Sequence, residues 1–242
     1  MAEASTTTLT KDREKLSVND ISVRTTLAFK VADSAIRAML PTGWELTSST
    51  SEPTKDSNLT MSLINTLIVQ DPEGNPIAPQ TVVVLATPAK RVGSDEAVPM
   101  VIGGFLHGST GPYEVYHPAK LTVDRRSRTD AAGLTTLQEV WRAKADDGEA
   151  LEVQAELTRG ALTRVKFEAK IYSAAKPDFY RIYRVEQMTD LARSVPLGID
   201  RVSKFNIQAT GRKLSRLFDG SEHLISVSSI PVYMRSLYLP VH

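Results

Sequence analysis

The feature that most constrains this chain is a two-residue alternation of side chains that recurs in short segments along most of its length. Ile21, Val23, Thr25, Leu27 and Phe29 share one parity, as in a strand with one buried face. Similar extended segments fit Leu59–Gln70, Val98–Leu106, Leu134–Lys144, Glu149–Thr158, Ala161–Ser173, Phe179–Val185, Arg201–Ala209 and His223–Leu239. Asp146-Asp147-Gly148 is a hairpin turn, and Pro231 marks an edge strand or a bulge. The run Val82–Leu85 is apolar throughout, as expected of a strand buried on both faces. One helix is predicted over about Ala32–Leu40, with Asp33 as its N-cap, Ala35, Ile36, Met39 and Leu40 on its apolar face, and Pro41 as its stop. Thr47–Asn58 is Ser/Thr-rich and aperiodic, a surface loop or flap.

These signals predict a β-rich α+β chain, a single-domain barrel or pair of packed sheets with one or few short helices. Residues 1–17 read as a flexible N-terminal segment, leaving 18–242 as the domain. Lysine and arginine total 29 against 28 acidic residues, so no basic excess points to nucleic acid. The chain has no cysteine, which excludes disulfides and thiolate chemistry. No apolar run reaches membrane-spanning length and no apolar signal core is seen, so the expected location is cytoplasmic, without membrane contact. Only four histidines occur, none paired at metal-ligand spacing, and neither a metal nor a cofactor is expected.

Phosphate-loop, dinucleotide, zinc-protease and serine-hydrolase motifs are all missing. The densest chemistry lies in the Gly/Pro-shaped segment 111–121, where Tyr113, Glu114, Tyr116, His117 and Lys120 fall within eight positions. An acid, a cation, an imidazole and two phenols on one loop suit general acid–base work, and equally a polar loop capping a barrel end. Asp124–Arg128 reads as a solvated turn, and Trp44 and Trp141 as core. Tyr172, Phe179, Tyr180 and Tyr183 fit a cavity lining or ordinary core. Asp200, Arg201 and Arg193 offer an internal ion pair.

Three blocks resemble the acetoacetate decarboxylase superfamily. Val23–Leu46 is similar to its opening strand and helix. GPYEVYHPAKL (111–121) resembles its GRELSAYPKKL stretch, with Gly111, Pro118, Lys120 and Leu121 in register, and Leu217–Pro240 resembles its terminal pattern. The resemblance implies a cone-like barrel around an apolar pocket, and a homodimer or larger assembly. An apolar edge at Ile225–Leu239 would also favour assembly. The first lysine of the family's Pro-Lys-Lys unit, its Schiff-base nucleophile, is Ala119 here; a one-residue slip puts Lys120 in its place. The acid of the Gly-Arg-Glu unit falls on Tyr113, and the tyrosine before the proline falls on His117. Two pocket acids fall near Asn65 and Gln80, and the pocket arginine near Ser22, with Arg24 a short step away.

The implied function is a cofactor-independent carbon–carbon lyase, a decarboxylase or aldehyde-releasing retro-aldol enzyme. Its substrate would be a small molecule such as a hydroxylated aromatic. Lys120 would supply charge, His117 or Glu114 would move the proton, Tyr113 or Tyr116 would orient an oxygen, and Arg24, Asn65 and Gln80 would line the pocket. The alternatives are a non-catalytic small-molecule-binding protein and a Schiff-base aldolase or dehydratase acting through Lys120.

Overall fold

The alternation that begins near Ile21 belongs to a longer strand, β1 (Glu14–Lys30), so four residues of the expected lead-in are extended. The computed structural model describes residues 14–241; the expectation for residues 1–13 lies outside them. After β1 come α1 (Asp33–Arg37), β2 (Trp44–Leu46), β3 (Leu59–Gln70), β4 (Thr81–Arg91) and β5 (Ala97–Leu106). Next are β6 (His117–Thr129), β7 (Thr135–Ala145), β8 (Ala150–Thr158), β9 (Thr163–Ser173) and β10 (Tyr180–Ser194). The chain ends with β11 (Ile199–Asp200), β12 (Val202–Thr210), α2 (Leu214–Leu217) and β13 (His223–Pro240). The fold is β-rich with two short helices, as the patterning predicted.

The strands β5, β9, β10, β13, β1, β3 and β4 pair in succession, and β4 returns to β5. That closes a barrel and leaves no free edge in the ring. A second layer, β12-β8-β7-β6, is antiparallel and joins the ring through a short parallel pairing of Phe105 and Leu106 with His117 and Pro118.

The largest apolar core lies outside the ring, between the barrel wall and this side sheet. Leu27, Phe29, Leu63, Val83, Leu85 and Phe105 of the barrel meet Leu137, Trp141, Leu151, Val153 and Leu157 there. A smaller cluster, with Tyr113, Tyr116, Tyr183, Tyr233, Val101 and Leu106, lines the barrel interior. Strand β1 therefore alternates between two enclosed environments rather than between core and solvent. Thr25, Leu27 and Phe29 face the side sheet, and Asp20 and Ser22 are buried too. Ile21 lies beyond the side sheet's cover and is 37% exposed. The Val82–Leu85 run has the same origin: Val83 and Leu85 enter the main core, while Val82 and Val84 face the barrel cavity.

Four sequence readings are corrected. The helix spans five residues, and its N-cap is Ala32, with no side-chain cap. Asp33 instead accepts hydrogen bonds from Lys30 Nζ and Asn58 Nδ2 at 2.8 Å, because Asn58 pins the chain at Val31. Of the two alternatives at Pro231, the bulge holds and the edge does not: β13 pairs with both β1 and β10, and both registers skip a residue around Pro231. The apolar-edge argument for assembly therefore does not apply to this strand. Asp124–Arg128 is not a turn but part of β6, paired with β7 from Ala119 to Thr129. Trp44 and Trp141 are core residues, and Arg193 pairs with Asp200 at 3.1 Å, while Arg201 turns to Asp190.

Candidate active-site cavity

Inside the ring is a cavity of about 800 Å³. Val82, Val84, Val101, Leu106 and Ile171 form its apolar wall. Its roof is the hydroxyl-rich segment between β2 and β3, contributing Thr47, Ser48, Ser49, Thr50, Ser51, Thr54 and Ser57. The flap expected at Thr47–Asn58 thus closes over the cavity.

Of the residues singled out in the sequence, Tyr113, Tyr116, Arg24 and Gln80 line the cavity. Tyr113 and Tyr116 come together because residues 111–114 form a turn rather than an extended stretch, with Glu114 at φ +56°. Gly111 holds φ +64°, and a Cβ there would stand 2.5 Å from the Tyr116 ring, so the ring packs directly on the loop backbone.

The other expected site residues point elsewhere. Glu114 turns outward and pairs with Lys176 at 2.5 Å. His117 starts β6, with Nδ1 2.5 Å from Asp147 Oδ2 and its ring against Phe105. Neither lines the cavity. Ala119 is buried in the main core, so Lys120, next along β6, faces solvent opposite Lys144. The segment that carries both residues belongs to the side sheet, which keeps Lys120 out of the barrel. Asn65 alternates with the cavity-facing Ser62 and Ile64 and instead accepts a hydrogen bond from Thr81 Oγ1 at 3.1 Å.

Two strands bring further polar groups to the cavity, of which only Tyr183 stood out in the sequence, as a possible cavity lining. Arg181 and Tyr183 project from β10, and Tyr233 and Arg235 from β13. Each pair is an arginine and a tyrosine two residues apart on a strand, and so on one face, which was the available signal. Arg235 is held by Asp20, which both its Nε and an Nη reach at 2.6 Å, while Ser22 Oγ donates to the same carboxylate at 2.8 Å. Burial works against the charge on Arg235, yet Tyr233 and Asp20 hold its pKa above the ordinary arginine range. Arg24 Nη2 donates to Ser62 Oγ at 2.7 Å. The Nε atoms of Arg24 and Arg181 are buried without a partner. Lys90, paired with Glu45 at 3.9 Å, is the one lysine on the wall among the described residues, and Asp95 the one carboxylate.

The hydroxyls of Tyr113 and Tyr183 are 2.7 Å apart. Burial, reinforced by Tyr183, pushes the Tyr113 hydroxyl well above its ordinary 10.0, and burial also pushes up Tyr116. Both phenols are therefore neutral donors at neutral pH. The same shifts predict alkaline sensitivity. Below about pH 10 both tyrosines are protonated whether the chain is folded or not. Above it the unfolded chain releases protons that the folded chain retains, so stability falls as pH rises. The Tyr113→Phe/Tyr116→Phe double variant should show a shallower fall in its denaturant midpoint between about pH 9 and 11. Parallel falls in the variant and the wild type would assign the effect to other groups.

No family profile and no curated protein matches the sequence. Among solved structures, an acetoacetate decarboxylase-like enzyme from Sphingomonas wittichii RW1 superposes with a TM-score of 0.55 at 8% identity, covering 100% of both chains. The enduracididine biosynthesis enzyme MppR, complexed with the condensation product of pyruvate and imidazole 4-carboxaldehyde, superposes with a TM-score of 0.54 at 8% identity. That match covers 92% of this chain and 87% of the other. At this identity the superpositions establish a shared fold alone.

Proposed function

We propose that this chain, which has the acetoacetate decarboxylase-like fold, is a carbon–carbon lyase that binds a small organic acid in its barrel and cleaves it without forming an imine. The observation that carries this reading is the pair of half-buried arginines, Arg24 and Arg181, whose Nε atoms are buried and lack partners beside an apolar cavity wall. A buried N–H donor without an acceptor is costly, and on a guanidinium the acceptor that relieves it best is an anion. A carboxylate or a developing enolate oxygen supplies one, and fixed donors in a dry cavity stabilise such an oxyanion most when its charge develops.

In this reading the bond to the departing carbon breaks and its electron pair moves to a conjugated oxygen; a carboxylate leaves as CO2, or a hydroxyl-bearing carbon leaves as an aldehyde while its O–H proton passes to Asp95. Arg181 and the Tyr113–Tyr183 hydroxyl pair receive that oxygen, a phenol proton replaces the departing group at carbon, and the phenolate is reprotonated from solvent in the CO2 case or by the proton held on Asp95 in the aldehyde case. A hydroxylated aromatic suits the rings and aliphatic side chains of the wall. An imine through Lys120 is not retained, since Lys120 stands on the solvent face of β6. A second reading, a binding protein without turnover, is favoured by the scarcity of acid–base groups on the wall, where Asp95 is the one carboxylate among the described residues.

The test is a panel of 3-oxo acids and hydroxyaryl 3-hydroxy acids, with CO2 and aldehyde release followed by 13C NMR. Arg181→Met should lower turnover by about two to three orders of magnitude, the scale of losing an oxyanion donor. Lys120→Met should leave it unchanged, and borohydride with pyruvate should leave no adduct. Unchanged turnover in Arg181→Met, or an adduct in the wild type, overturns the reading. Binding without turnover across the panel selects the binding protein.

A further inference from the structure

The cavity holds two uncompensated positive charges at separate places, with a compensated one between them. Along the wall, guanidinium groups and phenol rings follow one another. Arg24 lies 5.1 Å from the Tyr233 ring, and Arg235 lies 5.9 Å from that ring and 5.2 Å from the Tyr183 ring. Tyr183 is hydrogen-bonded to Tyr113, and Arg181 lies 6.0 Å from the Tyr113 ring. Contacts with aromatic faces stabilise a cation without neutralising it.

The middle member, Arg235, already has its carboxylate in Asp20. The outer members differ. Among the described residues neither Arg24 nor Arg181 has a carboxylate partner, and each keeps a buried Nε unmet. Arg24 is met only by the neutral hydroxyl of Ser62. A ligand with one anionic group can compensate one of these centres and leaves the other as it was. A guanidinium in a low-dielectric site favours a matching anion strongly, and two such centres favour two anions.

From this geometry we infer that the substrate is a dianion, a small apolar or aromatic frame carrying two acidic groups, one seated at Arg24 and Ser62 and the other at Arg181 and Tyr113. The inference rests on the reading of the cavity as an acid-binding site and adds the number and placement of the acidic groups. About 800 Å³ accommodates such a frame, and Val82, Val84 and Leu106 supply its apolar contact. The Tyr113–Tyr183 pair, next to the second seat, leaves one hydroxyl proton free to be donated to the ligand.

The test is calorimetric titration of the full chain with matched acids: phenylacetate against 1,4-phenylenediacetate, benzoate against isophthalate, and butyrate against glutarate. At least one diacid should bind about tenfold or more tightly than its monoacid, the scale of one added charge-assisted contact. That preference should vanish in Arg24→Met and in Arg181→Met, each of which should still bind the monoacid through the remaining arginine. Arg24→Lys should restore part of it. Circular dichroism melting separates loss of a seat from loss of fold, and the lysine variant keeps the test usable if Arg24→Met unfolds. Monoacids that bind as tightly as every diacid, or a preference that survives both methionine variants, overturn the dianion while leaving the acid site standing. Failure of every acid to bind overturns both.

Discussion

Asp20→Ala is expected to destabilise the protein by about 3–5 kcal/mol, the scale of stranding a buried charge by removing its partner. The Asp20 side chain is fully buried and that of Arg235 only 17% exposed, so solvent can do little to replace the lost carboxylate. Ser22 Oγ, which donates to Asp20, loses its acceptor in the same step. For a domain of this size the melting temperature should fall on the order of 10 °C. Asp20→Leu combined with Arg235→Met should recover much of the loss, because two apolar side chains remove both charges together. A melting temperature within about 2 °C of wild type in Asp20→Ala would mean that Arg235 finds water or another partner.

Glu139→Ala is the second large expectation, again about 3–5 kcal/mol. Glu139 is 3% exposed and joins the two layers of the fold. Its Oε2 accepts from Thr25 Oγ1 of the barrel at 2.8 Å and from Trp141 Nε1 at 3.1 Å, and its Oε1 accepts from Arg125 Nε of the side sheet at 2.7 Å. Alanine leaves three buried donors unmet and one guanidinium uncompensated. The Trp141 indole loses its acceptor, so urea unfolding followed by tryptophan fluorescence reads both stability and the local change. A loss below about 1 kcal/mol would show that water enters the layer interface and meets these donors.

How much could be read in advance is clearest at particular residues. The bounds of β3 fall where the alternation of Leu59–Gln70 places them, and the hairpin at Asp146–Gly148 joins β7 to β8. These are local signals, set by side-chain parity and turn chemistry within a few residues. Strand β6 was not legible: Asp124, Arg126 and Arg128 look like a solvated run, but they are the exposed face of a strand whose pairing with β7 is decided across the hairpin. The cavity was half legible. Tyr113 and Tyr116 stood out through local density, whereas Arg181 and Arg235 lie 54 residues apart and meet the same space only because β10 and β13 are neighbours.

The sequence by itself determined that this chain alternates, and therefore that it forms sheet with two chemically distinct faces. It did not determine which face looks where. In β1 the apolar residues turn toward a second sheet, and Asp20 and Arg24 toward the barrel side, because closing the ring gives every strand an inside and an outside, and where the side sheet covers the ring the outside is enclosed as well. The same closure left Lys120, the most reactive-looking residue of its loop, on the outer face of the side sheet. Side-chain direction in a strand is fixed to one of two sides by parity, but the identity of each side is a property of the layers that pack against it, and those layers are brought together by residues far apart in the chain.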